Sequence, residues 1–330
     1  MKNISELRQD LVSGEWIIIA PKRGKRPHDF LGAVPKRKKT PAGSCPFENP
    51  QKTGHEKALL AFPDVKNWEL QIVPNRYPAL VHEKSKAVLK RHGAYRILPG
   101  VGHHELLITR VHDKNFSELS PLKAFHVFEA FRDRYLALVN DKNIAYVSIF
   151  QNWGSRAGAS IYHPHYQIIA LPVVPPDVTR SLLGSAAYFK KHRTCVHCAI
   201  LKQEKKDKKR IIFENSGAIA FSPFASPNPY EVAVFPKKHL PFFENTFDGD
   251  LASVAEALKF SLHKIKKNLK DPDYNFFLHT SPIKQKESYG HYHWHIEVLP
   301  KFSVLGGFEF GTGATINAVD PNEAAMVLRI

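Results

Sequence analysis

The chain reads as an α+β protein built from two similar halves, each an antiparallel sheet with a packed helix. Two observations carry that expectation. The same order of features occurs twice: a cysteine-bearing turn, an apolar strand, a helix, a second strand and a cluster of alternating histidines. In each copy the first histidine of the cluster, His163 or His291, lies nine positions before a proline, Pro172 or Pro300, with an apolar strand between. The halves are expected at residues 1–180 and 181–330. Their seams are expected at Pro172 to Pro176 and in the polar stretch after Leu201, where proline and charge interrupt the apolar pattern.

The first copy opens with Cys45-Pro46-Phe47-Glu48 and passes through Asn75-Arg76-Tyr77-Pro78 to a strand at His104 to Ile108, ending near His112. Ser120-Pro121 then starts a helix, a capping hydroxyl followed by proline in the first turn, and Phe125, Val127, Phe128, Phe131 and Leu136 mark its apolar stripe. A strand from Ala145 to Phe150 leads into His163-Pro164-His165. The second copy opens with Cys195-Val196-His197-Cys198, continues through strands at Ala218 to Phe221 and Tyr230 to Phe235, and ends the latter near His239. Its helix starts near Asp248 and carries Leu251, Val254, Ala255, Leu258 and Leu262 at helical spacing. The lysines from Lys264 to Lys270 complement the negative end of its dipole. A strand at Tyr274 to His279 precedes His291-Tyr292-His293-Trp294-His295.

With 330 residues, 43% hydrophobic and 24% charged, the composition is that of a globular domain pair, and no apolar run approaches the roughly 20 residues of a membrane span. The N-terminus lacks the apolar core of a secretory signal, and three cysteines make a disulfide framework unlikely, so a cytoplasmic location is expected. The net charge of +16 invites a nucleic-acid reading. Much of the excess, however, sits in runs such as Lys36-Arg37-Lys38-Lys39 and Lys205 to Arg210, which read as solvated faces that favour small anionic substrates. Without aromatic residues interleaved in those runs, a nucleic-acid partner is not expected.

The chemistry concentrates in Gly158-Ala159-Ser160-Ile161-Tyr162-His163-Pro164-His165-Tyr166-Gln167. On a strand His163, His165 and Gln167 point to one side, because side chains alternate with period two. Small residues upstream allow a turn to approach a phosphate and offer it backbone N–H groups. A histidine beside such a cradle can attack phosphorus and hold a nucleotidyl group covalently. Gln167 can donate its amide N–H to a phosphate oxygen but cannot serve as a general acid, which suits a leaving group that is already an acidic phosphate. Separately, Cys195-x2-Cys198 with His239 and His293 offers a Cys₂His₂ set of the kind structural zinc sites use, with His197, His291 and His295 competing for the last positions.

Asn152-x-Gly154-x5-Ser160-x2-His163-Pro164-His165-x-Gln167 resembles the galactose-1-phosphate uridylyltransferase family of the histidine-triad superfamily, whose members carry two histidine-triad-like halves. Matching landmarks run from Gly14-Glu15-Trp16 to Gly306-Gly307-Phe308-Glu309-Phe310-Gly311-Thr312-Gly313, and the last of these looks especially like the ADP-glucose phosphorylase branch. The resemblance implies His165 as the nucleophile, with Gln167 beside it. It also implies substrate contacts from Arg23 and Arg26 to phosphate or base, from Asn75 to the nucleoside, from Asn152, Gly158 and Ser160 to phosphate, and from Phe308 and Glu309 to sugar hydroxyls. On residue type alone, Arg23 and Arg26 could equally be a solvated basic turn and Asn75 a turn residue. The histidine directly before Trp294 favours His293 as the zinc ligand. The first half departs from the family pattern in one place: Glu48 stands where a second cysteine is expected. Cys45, Glu48, His112 and His163 could form a zinc site, since carboxylates ligate zinc, or the metal could be lost and Glu48 exposed.

The expected function is therefore a zinc-bearing, ping-pong UDP-glucose–hexose-1-phosphate uridylyltransferase, with ADP-glucose phosphorylase as the alternative and a histidine-triad hydrolase centred on His291-x-His293-x-His295 as the second. Partners are a nucleotide-sugar and a sugar 1-phosphate or phosphate, and homodimers are a form the family takes.

Overall fold

A computed structural model describes residues 4–25, 37–85, 87–302 and 304–330. Its strands are β1 (Glu6–Gln9), β2 (Trp16–Ile19), β3 (Leu60–Phe62), β4 (Leu70–Pro74), β5 (Lys90–His92), β6 (Tyr95–Ile97), β7 (His103–Thr109), β8 (Tyr146–Trp153), β9 (His165–Leu171), β10 (Ile211–Glu214), β11 (Ala218–Phe221), β12 (Val232–Pro236), β13 (Tyr274–His279), β14 (His295–Pro300) and β15 (Thr315–Asn317). The helices are α1 (Pro121–Leu138), α2 (Pro176–His192), α3 (Val196–Asp207), α4 (Asp248–Asn268), α5 (Gly307–Thr312) and α6 (Pro321–Arg329).

The two expected antiparallel sheets are present, and they are joined edge to edge. Ten strands run β10-β11-β12-β14-β13-β8-β9-β7-β4-β3. Read outward from the central β8–β13 pair, the order β8-β9-β7-β4-β3 matches β13-β14-β12-β11-β10, with α1 between β7 and β8 as α4 lies between β12 and β13. At the joint, Phe150 faces Phe277 and Asn152 faces Asn275.

Alternation along the strands separates two faces. In β9, Tyr166, Ile168 and Ala170 are buried while Gln167 and Ile169 are half-buried, as expected for a sheet covered on one side only. The covered side packs on Val127, Phe128 and Phe131 of α1 and on Leu251, Val254, Leu258 and Leu262 of α4. Ser120 caps α1 by accepting from the Lys123 N–H at 3.3 Å. Leu136, expected in the stripe, lies on the exposed side of α1, and Tyr135 takes the core position instead. The other face of the central strands stays partly open and carries His165, Gln167, Asn152, Asn275, His279 and Glu297. A second, three-stranded sheet pairs β15 with β2 in parallel, tying the C-terminal segment to the start of the chain, where Arg8 meets Asp320 at 2.6 Å.

Two expectations are corrected. The stretch after Leu201 is the end of α3 rather than a seam, because Lys, Glu and Gln are good helix formers and Glu204 turns inward to Arg210 at 2.9 Å. The basic runs are not wholly solvated either. Arg37 pairs with Asp271 at 2.6 Å and Asp273 at 2.9 Å and stacks 4.8 Å over Trp153, while Arg210 is buried against Glu204. No helix among the described residues is long and apolar enough to cross a membrane.

Candidate functional site

His165 opens β9 with a nearly covered ring, and Phe47 from the Cys45–Glu48 turn packs against it with centroids 5.0 Å apart. Its Nδ1–H donates to the His163 carbonyl at 2.9 Å, which leaves Nε2 as the nitrogen with a free lone pair. Burial lowers its pKa below the ordinary histidine value, favouring the neutral, nucleophilic ring. His163 has the opposite arrangement. Its Nε2–H donates to the Thr109 carbonyl at 2.7 Å, so Nδ1 turns inward to Cys45 Sγ at 3.5 Å and Glu48 Oε1 at 3.4 Å.

His112 follows the same rule: Nε2–H donates to the Thr40 carbonyl at 2.7 Å, and Nδ1 meets Glu48 Oε1 at 2.7 Å. Glu48 is therefore turned into this cluster and not out to solvent. The ligand atoms of Cys45, Glu48, His112 and His163 all lie within 4.8 Å of one another, as do those of Cys195, Cys198, His239 and His293. In the second set His239 and His293 donate through Nε2 to the Gly290 and Pro236 carbonyls, at 2.9 and 3.0 Å, and present Nδ1 to Cys198 at 3.4 and 3.6 Å. The pKa of Cys195, the residue before α3, is pulled down first by the Cys198 thiol and then by His239 and His293, against the opposing effect of burial. Two carbonyl-anchored imidazoles with two cysteines in one set, and with one cysteine and one carboxylate in the other, fit a tetrahedral divalent metal such as zinc in both places. Of the competing histidines, His197 packs on His295, and His295 points at Glu297, so neither joins the cysteine set.

The loop before His163 is built largely by the second half. Gly154 has φ +85°, and a Cβ there would lie 1.9 Å from an Asp273 carboxylate oxygen, so only glycine fits. Asp273 accepts from the Arg156 N–H at 2.9 Å and from Arg37. Asn275 donates to Asn152 Oδ1 and to the Ala157 carbonyl, both at 2.8 Å. The N–H groups of Ala157, Gly158 and Ala159 are spent on Gly154 and Ser155 carbonyls, at 3.1, 3.1 and 3.0 Å. The cradle expected from the small residues thus narrows to the N–H groups of exposed Ser160 and half-buried Ile161, which have no partner among the described residues. Gly158, at φ +90°, leaves 3.5 Å between a Cβ and the Asn152 amide nitrogen.

Gln167 stands two residues along from His165, its Oε1 3.0 Å from His104 Nε2, and the Asn75 amide lies 3.0 Å from the same nitrogen. One constellation thus joins Asn75, His104 and Gln167 by contact, with His165 two residues along β9 and with Asn152 and the Gly158–Ser160 loop on and just after the neighbouring strand β8.

Residues 1–175 match the galactose-1-phosphate uridyl transferase N-terminal domain, and residues 118–329 match a domain of unknown function, DUF4921. Across 98% of its length the chain is 37% identical to ADP-glucose phosphorylase of Arabidopsis thaliana, covering 92% of that protein. It is 27% identical to galactose-1-phosphate uridylyltransferase of Thermotoga maritima, over 98% of each chain. The chain belongs to the galactose-1-phosphate uridyl transferase family. Among solved structures, an Arabidopsis thaliana ADP-glucose phosphorylase with bound ADP-glucose superposes with a TM-score of 0.85, at 34% identity and 99% coverage of both chains. A uridylyltransferase structure superposes at 0.75, with 29% identity over 99% of this chain and 97% of that one. As a family member the chain is an enzyme of nucleotidyltransferase type.

Not every residue implied by the family pattern reaches this constellation. Arg23 is exposed in the short turn Pro21–Lys25, and Arg26 lies outside the described residues. Phe308 is 46% exposed on α5, and Glu309 accepts from the Gly306 N–H at 2.9 Å, capping its own helix. No hydrogen bond, ion pair or ring contact links Arg23, Phe308 or Glu309 to His165 among the described residues. Conversely, the sequence reading missed His104, Asp273 and Asn275. Asn275 sits at a half-buried polar position in the mostly apolar strand β13, a signal that was available; His104, between the polar His103 and Glu105 of β7, and Asp273 carried none.

Proposed function

We propose that this chain transfers a nucleotidyl group from a nucleotide-sugar through His165, and that its reaction is phosphorolysis of ADP-glucose. The observation that carries the chemistry is the His165 Nδ1–H bond to the His163 carbonyl, which aims a neutral Nε2 lone pair at the open face of the sheet. That lone pair attacks the α-phosphorus, the P–N bond forms, and the bond to the sugar phosphate breaks with its electrons, releasing glucose 1-phosphate without a general acid. Inorganic phosphate then attacks the same phosphorus, giving ADP and restoring the neutral ring. Gln167 donates its amide N–H to a non-bridging oxygen, and Ser160 and Ile161 offer backbone donors.

Adenine over uracil is supported by the 37% identity to ADP-glucose phosphorylase against 27% to the Thermotoga maritima uridylyltransferase. The Gly306–Gly313 run and His293-Trp294 support the same choice. We further propose zinc in both four-residue sets. Bound there it would cross-link distant segments, and through His163 it would hold the carbonyl that orients His165.

The test is intact mass after incubation with ADP-glucose or UDP-glucose. A covalent increment of one adenylyl group, released as ADP by phosphate, is the expected result. A uridylyl increment released by galactose 1-phosphate would move the assignment to the uridylyltransferase reaction. No increment from either overturns nucleotidyl transfer.

A further inference from the structure

We propose that His104 is a positioning residue that decides which end of the Gln167 carboxamide meets the substrate phosphate; this assignment rests on the nucleotidyl-transfer reading above. His104 lies on β7, beside β9, where Leu106 is the partner of Gln167, so the imidazole and the carboxamide share the open face on neighbouring strands. The Ala79 backbone N–H donates to His104 Nδ1 at 3.0 Å. A ring nitrogen that accepts carries no proton, so the proton of the neutral imidazole is on Nε2. That N–H faces Gln167 Oε1 at 3.0 Å; the Asn75 amide nitrogen lies 3.0 Å from the same Nε2, but the Asn75 oxygen is held by the Tyr77 N–H at 3.0 Å, so Gln167 Oε1 is the acceptor there. With its oxygen engaged, Gln167 has only its NH₂ to present to an anion. Without the His104 donor, the carboxamide can rotate and set its oxygen lone pairs against the phosphate.

The second half gives an internal comparison. Ala233 pairs with Glu297 as Leu106 pairs with Gln167, so Glu231 holds the register position of His104, and Glu297 that of Gln167. Glu231 accepts from Ser226 and Asn228, and no hydrogen bond joins it to Glu297 among the described residues. The imidazole donor and the carboxamide thus occur together in the half that carries the nucleophile and are both missing from the other.

The experiment compares the adenylylation rate of His165 on rapid mixing with ADP-glucose in five chains: wild type, His104→Gln, His104→Asn, Gln167→Ala and the double variant His104→Asn/Gln167→Ala. Glutamine places an N–H near the position of Nε2, whereas asparagine is too short to reach Gln167. The expected result is a rate within about threefold of wild type for His104→Gln and about 10- to 50-fold slower for His104→Asn, with half-saturating ADP-glucose changed by less than about threefold. The double variant should match Gln167→Ala alone, because His104 acts through that side chain. Equal rates for His104→Gln and His104→Asn, or losses that multiply in the double variant, overturn the assignment while leaving nucleotidyl transfer standing. A wild-type chain that acquires no adduct from ADP-glucose or UDP-glucose overturns both.

Discussion

The first and second halves present the same strand-borne histidine pair and differ in what surrounds it. The counterpart of His163 is His293, and not the His291 that the proline spacing pairs with it: both are anchored through Nε2 and turned by Nδ1 toward cysteine, while the next histidine, His165 or His295, donates Nδ1–H to the carbonyl of the one before, at 2.9 and 3.1 Å. The geometry of a nucleophile is therefore built twice. Around His165 stand a carboxamide, an imidazole donor and a glycine-shaped loop. Around His295 stand Glu297 and His279, stacked rings from Phe235 and His279, and a buried Glu231 pushed up to about 8 by burial and the nearby Glu297. Burial opposes ionisation of Glu297, but His279 and His295 outweigh it and hold the carboxylate charged. A phosphate approaching His295 would meet that charge. The pair shows that a strand frame supplies orientation only; chemistry depends on a few neighbours and one loop.

The sharpest way to break this comparison is to remove each ring. His165→Ala should abolish the nucleotidyl adduct, a loss of about 10⁴-fold or more in turnover, while His295→Ala should leave adduct formation within about threefold of wild type. An adduct that survives the first change and dies with the second would reverse the roles of the halves. Next in size is the loop. Gly154→Ala forces a methyl group onto Asp273 at a left-handed φ, so adenylylation should fall about 10²-fold and stability by about 1–3 kcal/mol, measured by rapid quench and denaturant melting.

The metal sets provide a finer probe. Glu48→Cys makes the first set Cys₂His₂ like the second, and zinc retention there against a chelator should rise about tenfold, with the Cys195 set unchanged. An unchanged release profile would argue against Glu48 as a ligand. Smallest of all, Glu297→Gln copies the Gln167 position into the second half, yet adduct formation should change by less than about twofold, because no phosphate loop precedes His293. A second adduct on His295, located by peptide mass, would show that the side chain alone had been limiting.

Some of this was legible from local pattern. His163, His165 and Gln167 share a face because strands alternate, the Ser120-Pro121 start of α1 is a local signal, and the twofold repeat of cysteine turn, helix and histidine cluster announced two halves. The sites missed are those where register carries the information. His104 meets Gln167 across 63 residues, and Asp273 reaches the Arg156 N–H across 117. Neither separation has a sequence signature. Arg37, read as part of a solvated run, is half-buried because two aspartates and an indole face it across the fold.

The sequence by itself determined the two strand-and-helix copies, the alternation that sets the histidines side by side, and the residue types that can hold a metal or attack phosphorus. These follow from forces acting within a few residues: backbone period, capping and side-chain chemistry. Only the tertiary structure decided that β8 and β13 fuse the halves into one sheet, which lets the half without a nucleophile shape the loop beside it. It also decided which nitrogen of each imidazole is free, since that is set by whichever carbonyl or N–H the fold brings within about 3 Å of the ring.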